Sequence, residues 1–491
     1  MIPWVAAGLL VICLMALLQR FELVAKSRDV VAVSRQSLAV IRDAALTDDA
    51  KQSALQHNAR RLFGLSFLIT VGGAAAVAFP AGLLWLCDRG GFVGWDETIA
   101  ASLHPVFIIA TIAVMILLYW SGRRSDSGFS IVDRLLHRLV FKTYAAQAQF
   151  ADMEDVIYAG LLERRSIDRP VFITALPRAG TTLLLETWAK LPEFAAHTYR
   201  DMPFVLTPML WNRFAGLFHR AEITRERAHG DGMLIRGDSP EALEEVAWKT
   251  YWRPHYQFDR IVPWRRDERD VNDEFPDFFR NHMRKIILLR RGSADGTRYL
   301  SKNNLNIARI GLLKRLFPQS IIVVPFRQPL QHAASLLRQH LNFTRIHRED
   351  RFAAEYMRAI GHFEFGENLQ PIDFDDWLNQ RREKEFTSLK VWLEYWLATY
   401  RHLLTADRER VHFIDFDALC NNPEKGLQSL AGILQCRDPS ALLAAATAIC
   451  PARPHDVGPS DIPAPLMNDV DAVYSRLKAE TLRYGGPPRR G

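Results

Sequence analysis

The chain has 491 residues, a formal net charge of +7 at pH 7 and 48% hydrophobic residues. This length is more than one ordinary domain needs. The basic balance favours acidic ligands or a membrane surface, and no run of interleaved arginines and aromatic residues points to nucleic acid. The five cysteines have no paired spacing, which argues against a disulfide framework or a zinc site and indicates a reducing compartment.

The first third of the chain contains three apolar runs of membrane-spanning length, at about residues 2–18, 65–87 and 103–120. The first is interpreted as a retained anchor, because no basic segment precedes it and no cleavage site of small residues follows. We therefore expect residues 1–122 to form a membrane anchor with three transmembrane helices. Residues 19–62 are either an amphipathic hairpin or long helix against the membrane, or a mobile loop.

The charges of the connecting segments predict an orientation. Eight Lys/Arg and five Asp/Glu residues lie between the first two runs, whereas the next connection is net negative. The positive-inside rule then places the first connection and everything after Trp120 in the cytoplasm, with the N-terminus outside. A helical connector is predicted at 123–165, followed by a catalytic domain at 166–491.

The stretch Val171–Leu185, VFITALPRAGTTLLL, predicts a buried strand, a tight turn and a helix start. Backbone amides and the positive end of the helix dipole would point at one spot, which suits a phosphate. The candidate binding residues are Pro177, Arg178, Ala179, Gly180, Thr181 and Thr182. The loop lacks the lysine of the ATP- and GTP-binding sequence G-x-x-x-x-G-K-[ST], which disfavours metal-assisted phosphoryl transfer. An ordinary strand–turn–helix with a surface arginine is the alternative.

A second stretch, Ile321–Leu330, is another apolar strand pattern and contains Arg327, with Ser335 eight residues later. An arginine at a strand end and a serine on the next helix suit a second phosphate.

With both stretches, the chain resembles the sulfotransferases that use 3′-phosphoadenosine-5′-phosphosulfate (PAPS), in their bacterial and tyrosylprotein branch, over about residues 169–434. In that family a P-R-[SA]-G-T-T loop holds the 5′ sulfo-phosphate, and an Arg and a Ser eight residues apart hold the 3′-phosphate. The resemblance implies a P-loop-like sulfotransferase fold, PAPS as co-substrate without a metal, and a hydroxyl or amine acceptor. Because PAPS is cytosolic in bacteria, it also implies the bacterial inner membrane, with the catalytic domain inside.

The remaining pattern predicts an α/β domain with a parallel sheet covered by helices on both faces. The predicted strands are 171–176, 286–290, 298–302, 321–326 and 411–415. Ligands in such sheets lie beyond the carboxyl ends of the strands, where Arg178, Lys302 and Arg327 would meet. The chain after Pro451 is expected to be a flexible tail.

Sulfuryl transfer needs cations for the departing phosphate and a base for the acceptor. Arg178 and Lys302 are the expected cations, although the family's proline after this lysine is replaced by Asn303-Asn304. The base is predicted to be Asp201, the carboxylate nearest to the position of the family's glutamate. Glu245 and His229 remain open as alternatives.

A second acidic zone surrounds Ser239-Pro240-Glu241, which predicts a helix start with Glu241 and Glu245 on one face. Two other functions stay possible at this point: a P-loop kinase or nucleotide-binding regulator, and an inactive membrane scaffold of the same fold. The expected partners are the bilayer, PAPS and an unknown acceptor that is a lipid, a glycolipid or a glycan.

Overall fold

The structure is a computed structural model, and it describes most of the chain. The described residues are 2–21, 23–42, 48–91, 93–108, 144–218, 225–226, 234–235, 237–265, 273–292, 295–381, 385–405, 409–451, 454–457 and 462–484. They divide into two compact units, one that comprises residues 1–124 and the short segment 216–219, and a larger one that holds the remainder.

The N-terminal unit is helical. Its helices are α1 (Ile2–Arg20), α2 (Leu23–Arg42), α3 (Asp48–Arg89) and α4 (Trp95–Leu103). The segment predicted as a hairpin, a long helix or a mobile loop is thus mainly helical. Helices α2 and α3 touch where Gly72 faces Leu23, and a Cβ on this glycine would lie 2.9 Å from the leucine side chain.

One helix in the described ranges is long and apolar enough to cross a membrane, Ala54–Arg89. It contains the predicted span 65–87, so the structure provides one candidate span where the sequence predicts three. The run 2–18 is helical, within α1, but is not a second candidate. Of the third run, residues 109–120 lie outside the described part of the chain.

The larger unit is built on a five-stranded sheet in the order β2-β5-β1-β6-β7, in which every pair of neighbours is parallel. Its strands are β1 (Val171–Ile173), β2 (Phe194–Ala195), β5 (Arg298–Lys302), β6 (Ile321–Phe326) and β7 (Val411–Asp415). A separate antiparallel pair consists of β3 (Arg225–Glu226) and β4 (Leu234–Ile235). The α/β class and the parallel sheet are as predicted.

The predicted strand 286–290 is wrong, because these residues lie in the helix Phe275–Arg291. Its buried residues include Phe275, Phe279, Met283 and Ile286, which recur with the period of a helix rather than of a strand. The apolar run at its end resembles a strand in a short window, because a short buried run has no periodicity of its own.

Helices cover both faces of the sheet. In chain order they are α5 (Tyr144–Leu162), α6 (Thr181–Ala189), α7 (Pro208–Phe218), α8 (Glu245–Tyr251), α9 (Phe275–Arg291), α10 (Ile310–Leu316), α11 (Pro329–Glu349), α12 (Arg351–Ala359), α13 (Leu389–Thr405), α14 (Phe416–Asn421), α15 (Pro423–Leu434), α16 (Ser440–Ala444) and α17 (Ala464–Tyr484). Alternate residues of β1 enter two different cores: Phe172 packs in one, Val171 and Ile173 in the other. Helix α5 lies within the predicted connector 123–165, whose limits stay predictions.

The C-terminal segment is not the flexible tail that its composition suggests. Residues 464–484 form α17, whose side chains Val470, Val473 and Leu477 are buried in the main core. The helix is tied to the sheet by the hydroxyl of Thr481, which donates to the carbonyl of Phe413 at 3.3 Å.

Candidate active site

The loop after β1 presents backbone amides at a helix start. Gly180 caps α6 with φ of 92°, and the amide of Leu184 donates to its carbonyl at 3.2 Å. The amides of residues 181–183 precede that first helical bond, so they face the loop at the positive end of the helix dipole. A Cβ at position 180 would lie 2.1 Å from the Phe416 ring, so only glycine fits this turn.

The second predicted stretch meets this loop. Arg178 Nε donates to Ser335 Oγ at 3.5 Å, and Arg327 Nη1 donates to the carbonyl of Arg178 at 3.2 Å. Arg327 follows the end of β6, and Ser335 is on the second turn of α11. The structure therefore brings together the two anion-binding elements that the sequence predicts separately, although they lie about 150 residues apart in the chain.

Two further side chains hold these elements in position. Asp417 accepts from Arg327 Nε at 3.3 Å and from the amide of Gln328 at 2.7 Å. His332 Nε2 donates to the carbonyl of Pro177 at 2.8 Å. Burial lowers the pKa of His332 to about 3, so the imidazole stays neutral and adds no charge to the site.

Lys302, the last residue of β5, lies beside this loop, and the asparagines after it replace the missing proline. The side-chain oxygen of Asn303 accepts from the amide of Leu305 at 3.1 Å, which closes a 3-10 turn. The side-chain oxygen of Asn304 accepts a hydrogen bond from the hydroxyl of Thr181 at 3.2 Å, and its backbone carbonyl accepts one from the hydroxyl of Thr174 at 3.1 Å. The Asn pair therefore fixes the end of β5 to the phosphate-type loop.

The charges around Lys302 include residues that the sequence did not single out. Glu364 Oε1 accepts from Asn304 Nδ2 at 3.0 Å, and its Oε2 lies 3.4 Å from His362 Nδ1. Burial raises the pKa of Glu364, but His362 and Lys302 outweigh it and lower the pKa to about 2. Glu364 and His362 lie in a segment without motifs. The neighbouring Gly361, which has a positive φ, is the only sequence feature that indicates a turn there.

Glu241 also acts on Lys302 from a different segment. Burial raises its pKa, but the charges of Lys302 and His362 and a hydrogen bond from Tyr199 together hold the pKa of Glu241 below its ordinary value. The predicted helix start at Ser239-Pro240-Glu241 is wrong, because α8 begins only at Glu245. Residues 237–241 instead bond to residues 197–200 through the amides of Tyr199, Arg200 and Glu241, and Thr198 and Pro240 form an isolated antiparallel bridge.

The predicted base Asp201 lies in the core. Its side chain is fully buried, and Arg290 Nη2 donates to both carboxylate oxygens. The carboxylate of Asp201 also accepts hydrogen bonds from His197 Nδ1 and from the amide of Thr198. This geometry does not favour Asp201 as the base, because no acceptor hydroxyl can reach an enclosed carboxylate.

Of the two alternative bases, Glu245 is also buried, where it pairs with Arg309 and accepts from Asn303 Nδ2 at 2.6 Å. His229 lies outside the described residues. Among the residues that the structure describes, no group of three or more His, Cys, Asp or Glu side chains could hold a metal ion.

Taken together, the site offers helix-start amides, Arg178 with Ser335, Arg327, and Lys302 at the next strand end. These donors fit a ligand that carries two phosphate-type groups. The carboxylates Glu241 and Glu364 are of intermediate burial, and the charge of Lys302 lowers the pKa of both.

A known family matches the segment that contains residues 177–182, Lys302, Arg327 and Ser335, and Asp417 lies outside this segment. The model of the family described as "Sulfotransferase family" matches residues 170–369. No curated protein matches the chain.

Solved structures with similarity to the chain are remote in sequence and shape. The sulfotransferase STF9 of Mycobacterium avium is 14% identical over 68% of this chain and 80% of its own, with a TM-score of 0.38. The sulfotransferase STF1 of Mycobacterium tuberculosis is 12% identical over 72% and 88%, with a TM-score of 0.36. The sulfotransferase domain from the curacin biosynthetic pathway is 14% identical over 64% and 99%, with a TM-score of 0.30.

The family match covers both anion-binding elements and the strand that ends in Lys302. Residues 170–369 are therefore those of a sulfotransferase enzyme.

Proposed function

We propose that this sulfotransferase is anchored in a membrane and moves a sulfuryl group from PAPS to a hydroxyl or amine of its acceptor. The observation that carries the donor assignment is the contact of Arg178 with both Ser335 and Arg327. Two separate anion-binding elements at one sheet edge suit a nucleotide with phosphates on both its 3′ and 5′ positions. A nucleoside triphosphate has a single chain of phosphates and needs only one such element.

In this proposal residues 177–182 hold the sulfo-phosphate end of PAPS, and Arg327 with Ser335 holds its 3′-phosphate. PAPS supplies the activated sulfuryl group. Arg178 and Lys302 stabilise the negative charge that grows on the phosphate as the sulfur leaves it. We propose no metal, because these two cations already supply the charge that a metal would bring.

The acceptor is proposed to be a lipid, a glycolipid or a membrane-delivered glycan. The helix Ala54–Arg89 supports a membrane location, and tethering raises the local concentration of an acceptor in the same bilayer. The charges between the apolar runs support an N-terminus outside and a catalytic domain in the cytoplasm of a bacterial cell.

Nucleotide binding tests the donor assignment. We expect the full-length protein in detergent to bind 3′,5′-bisphosphoadenosine, the product of PAPS, more tightly than ATP in calorimetry. Loss of a charge-assisted hydrogen bond costs about 1.5–3 kcal/mol, so Arg178→Ala should weaken binding roughly 10- to 100-fold. Ser335→Ala should weaken it less, since a neutral donor contributes about 1 kcal/mol.

Arg345→Ala is the matched control, because this arginine lies on the same helix as Ser335 but pairs with Glu349 at the surface. It should leave the affinity unchanged. Tighter binding of ATP, or equal affinities in all variants, would contradict the donor assignment and favour a kinase or nucleotide-binding regulator. Transfer of labelled sulfate from PAPS into a membrane lipid extract then separates the enzyme from an inactive scaffold.

A further inference from the structure

Sulfuryl transfer to a hydroxyl requires a group that removes the hydroxyl proton. Such a group must be ionised, partly open to solvent and close to the cation that serves the leaving phosphate. Asp201 and Glu245 fail these conditions because both carboxylates are buried in ion pairs with arginines. Glu241 and Glu364 remain, since both are partly exposed and both act on Lys302.

The surroundings of the two carboxylates distinguish them. Both oxygens of Glu364 are engaged, one by Asn304 Nδ2 and the other by His362 Nδ1. This carboxylate thus links β5 to the turn after α12. In contrast, Glu241 lies where the residues that follow β2 come beside β5, the strand that ends in Lys302.

The backbone explains how Glu241 reaches this position. Its amide donates to the carbonyl of His197 at 2.9 Å, and the amide of Tyr199 donates to the carbonyl of Ser239 at 3.2 Å. These bonds place Glu241 beside Tyr199, whose hydroxyl bonds to the carboxylate. The amide of Ala242 donates to Oε1 at 2.8 Å, so the carboxylate is held from two sides.

We propose that Glu241 is the general base of the reaction and that Tyr199 is its positioning residue; this rests on the proposed PAPS-dependent transfer. The acceptor O–H bond breaks and its proton moves to the Glu241 carboxylate, while the oxygen electron pair forms the new O–S bond. The bond between sulfur and the phosphate oxygen of PAPS breaks, and its electron pair stays on that oxygen next to Lys302. The carboxyl then returns its proton to water.

The experiment compares the full-length protein with Glu241→Gln, using sulfur-labelled PAPS and a lipid extract of the cells that make the protein. General base catalysis contributes about 10²–10⁴-fold, so the variant should lose at least about 100-fold in kcat. The affinity for 3′,5′-bisphosphoadenosine should stay within about twofold of the wild type, because Glu241 binds acceptor rather than donor. Tyr199→Phe should lower kcat by a smaller factor with an unchanged KM for PAPS, which a merely structural role would not produce.

Glu364→Gln is the comparison at the other carboxylate near Lys302 and should lose less kcat than Glu241→Gln, and Asp201→Asn is the control at a buried carboxylate. Transfer by Glu241→Gln at the wild-type rate, or a larger kcat loss in Glu364→Gln, would overturn the assignment of the base. If Glu241→Gln does not fold, Glu241→Asp keeps a carboxylate and should retain partial activity; its complete inactivity with intact nucleotide binding would also overturn the proposal. A wild-type protein that binds no bisphosphate nucleotide would instead refute the proposed donor.

Discussion

At the scale of single residues, the four carboxylates considered as the base fall into two kinds. Asp201 and Glu245 are buried against arginines, and their burial makes them part of the framework. Glu241 and Glu364 are partly exposed and oppose Lys302. A carboxylate near the expected place in the sequence is therefore a weaker indication of a base than one that is accessible and lies near Lys302, the proposed catalytic cation.

Asp201→Asn tests the structural role of the first kind. The change leaves Arg290 without its carboxylate, and breaking a buried ion pair typically costs about 3–5 kcal/mol. We expect the free energy of unfolding in urea to fall by that order. The folded fraction should still bind 3′,5′-bisphosphoadenosine and transfer sulfate at near the wild-type kcat.

The effect of this substitution should depend on pH. Burial raises the pKa of Asp201, but His197 and Arg290 outweigh it, so the pKa lies well below the ordinary value of 3.8. A carboxyl group whose pKa is lowered by folding stabilises the protein at pH values above its ordinary pKa. This stabilisation is lost as the pH falls below the ordinary pKa. The stability difference between wild type and variant should thus be constant near neutrality and shrink below about pH 4. A kcat loss of 100-fold without a loss of stability would restore Asp201 as the base.

At the scale of elements, the turn between β1 and α6 is the best-determined part of the site. Gly180 has a left-handed φ of 92°, and the Phe416 ring occupies the place of a Cβ. Gly180→Ala should therefore lower the free energy of unfolding by roughly 2–4 kcal/mol, from backbone strain and overpacking. Because the ring or the loop must move, we also expect weaker binding of 3′,5′-bisphosphoadenosine.

Gly432→Ala provides the control for this change. Gly432 is an exposed residue inside α15, and a Cβ there meets nothing within 4 Å. The alanine should stabilise the protein by ~0.5–1 kcal/mol, since glycine is unfavourable within a helix. Equal effects of the two substitutions in urea denaturation would show that the turn tolerates a side chain.

The sequence predicted those elements whose pattern is local. Buried parallel strands appear as continuous apolar runs, so β1, β5, β6 and β7 could be found, and PRAGTT marked the loop. The run at 286–290 has the same apolar composition but belongs to α9, since only the longer window shows the helical period. Strand β2, with two residues, is too short to leave such a pattern.

The acceptor side of the site was harder to predict, because long-range pairing creates it. Glu241 reaches Tyr199 only through the bridge between residues 237–241 and 197–200, whereas the local pattern at Pro240 predicts a helix start. Glu364 lies in a turn of the segment between α12 and α13, far from any motif. No local periodicity encodes either arrangement.

At the scale of the whole molecule, the described part of the chain contains one helix that is long and apolar enough to cross a membrane. The side chains of Phe79 and Leu83 on α3 are at least half exposed, and most other residues of the apolar segment are also not buried. Exposed apolar side chains over this length suit contact with lipid rather than water. This supports an anchor at Ala54–Arg89 independently of the runs 2–18 and 103–120.

Membrane retention tests this anchor. The full-length protein should stay in the membrane pellet after washing with alkaline carbonate, which removes peripheral proteins. Each arginine at the centre of a spanning helix costs about 2.5–3.5 kcal/mol, so Phe79→Arg with Leu83→Arg should reduce the retained fraction. Gln52→Arg, at the polar start of the same helix, should have no effect. Release of the wild-type protein by carbonate would contradict a membrane anchor. Full retention of the double variant would indicate that the other apolar runs anchor the protein. In both cases the anion site would stand, because the contacts among Arg178, Arg327 and Ser335 lie within the larger unit.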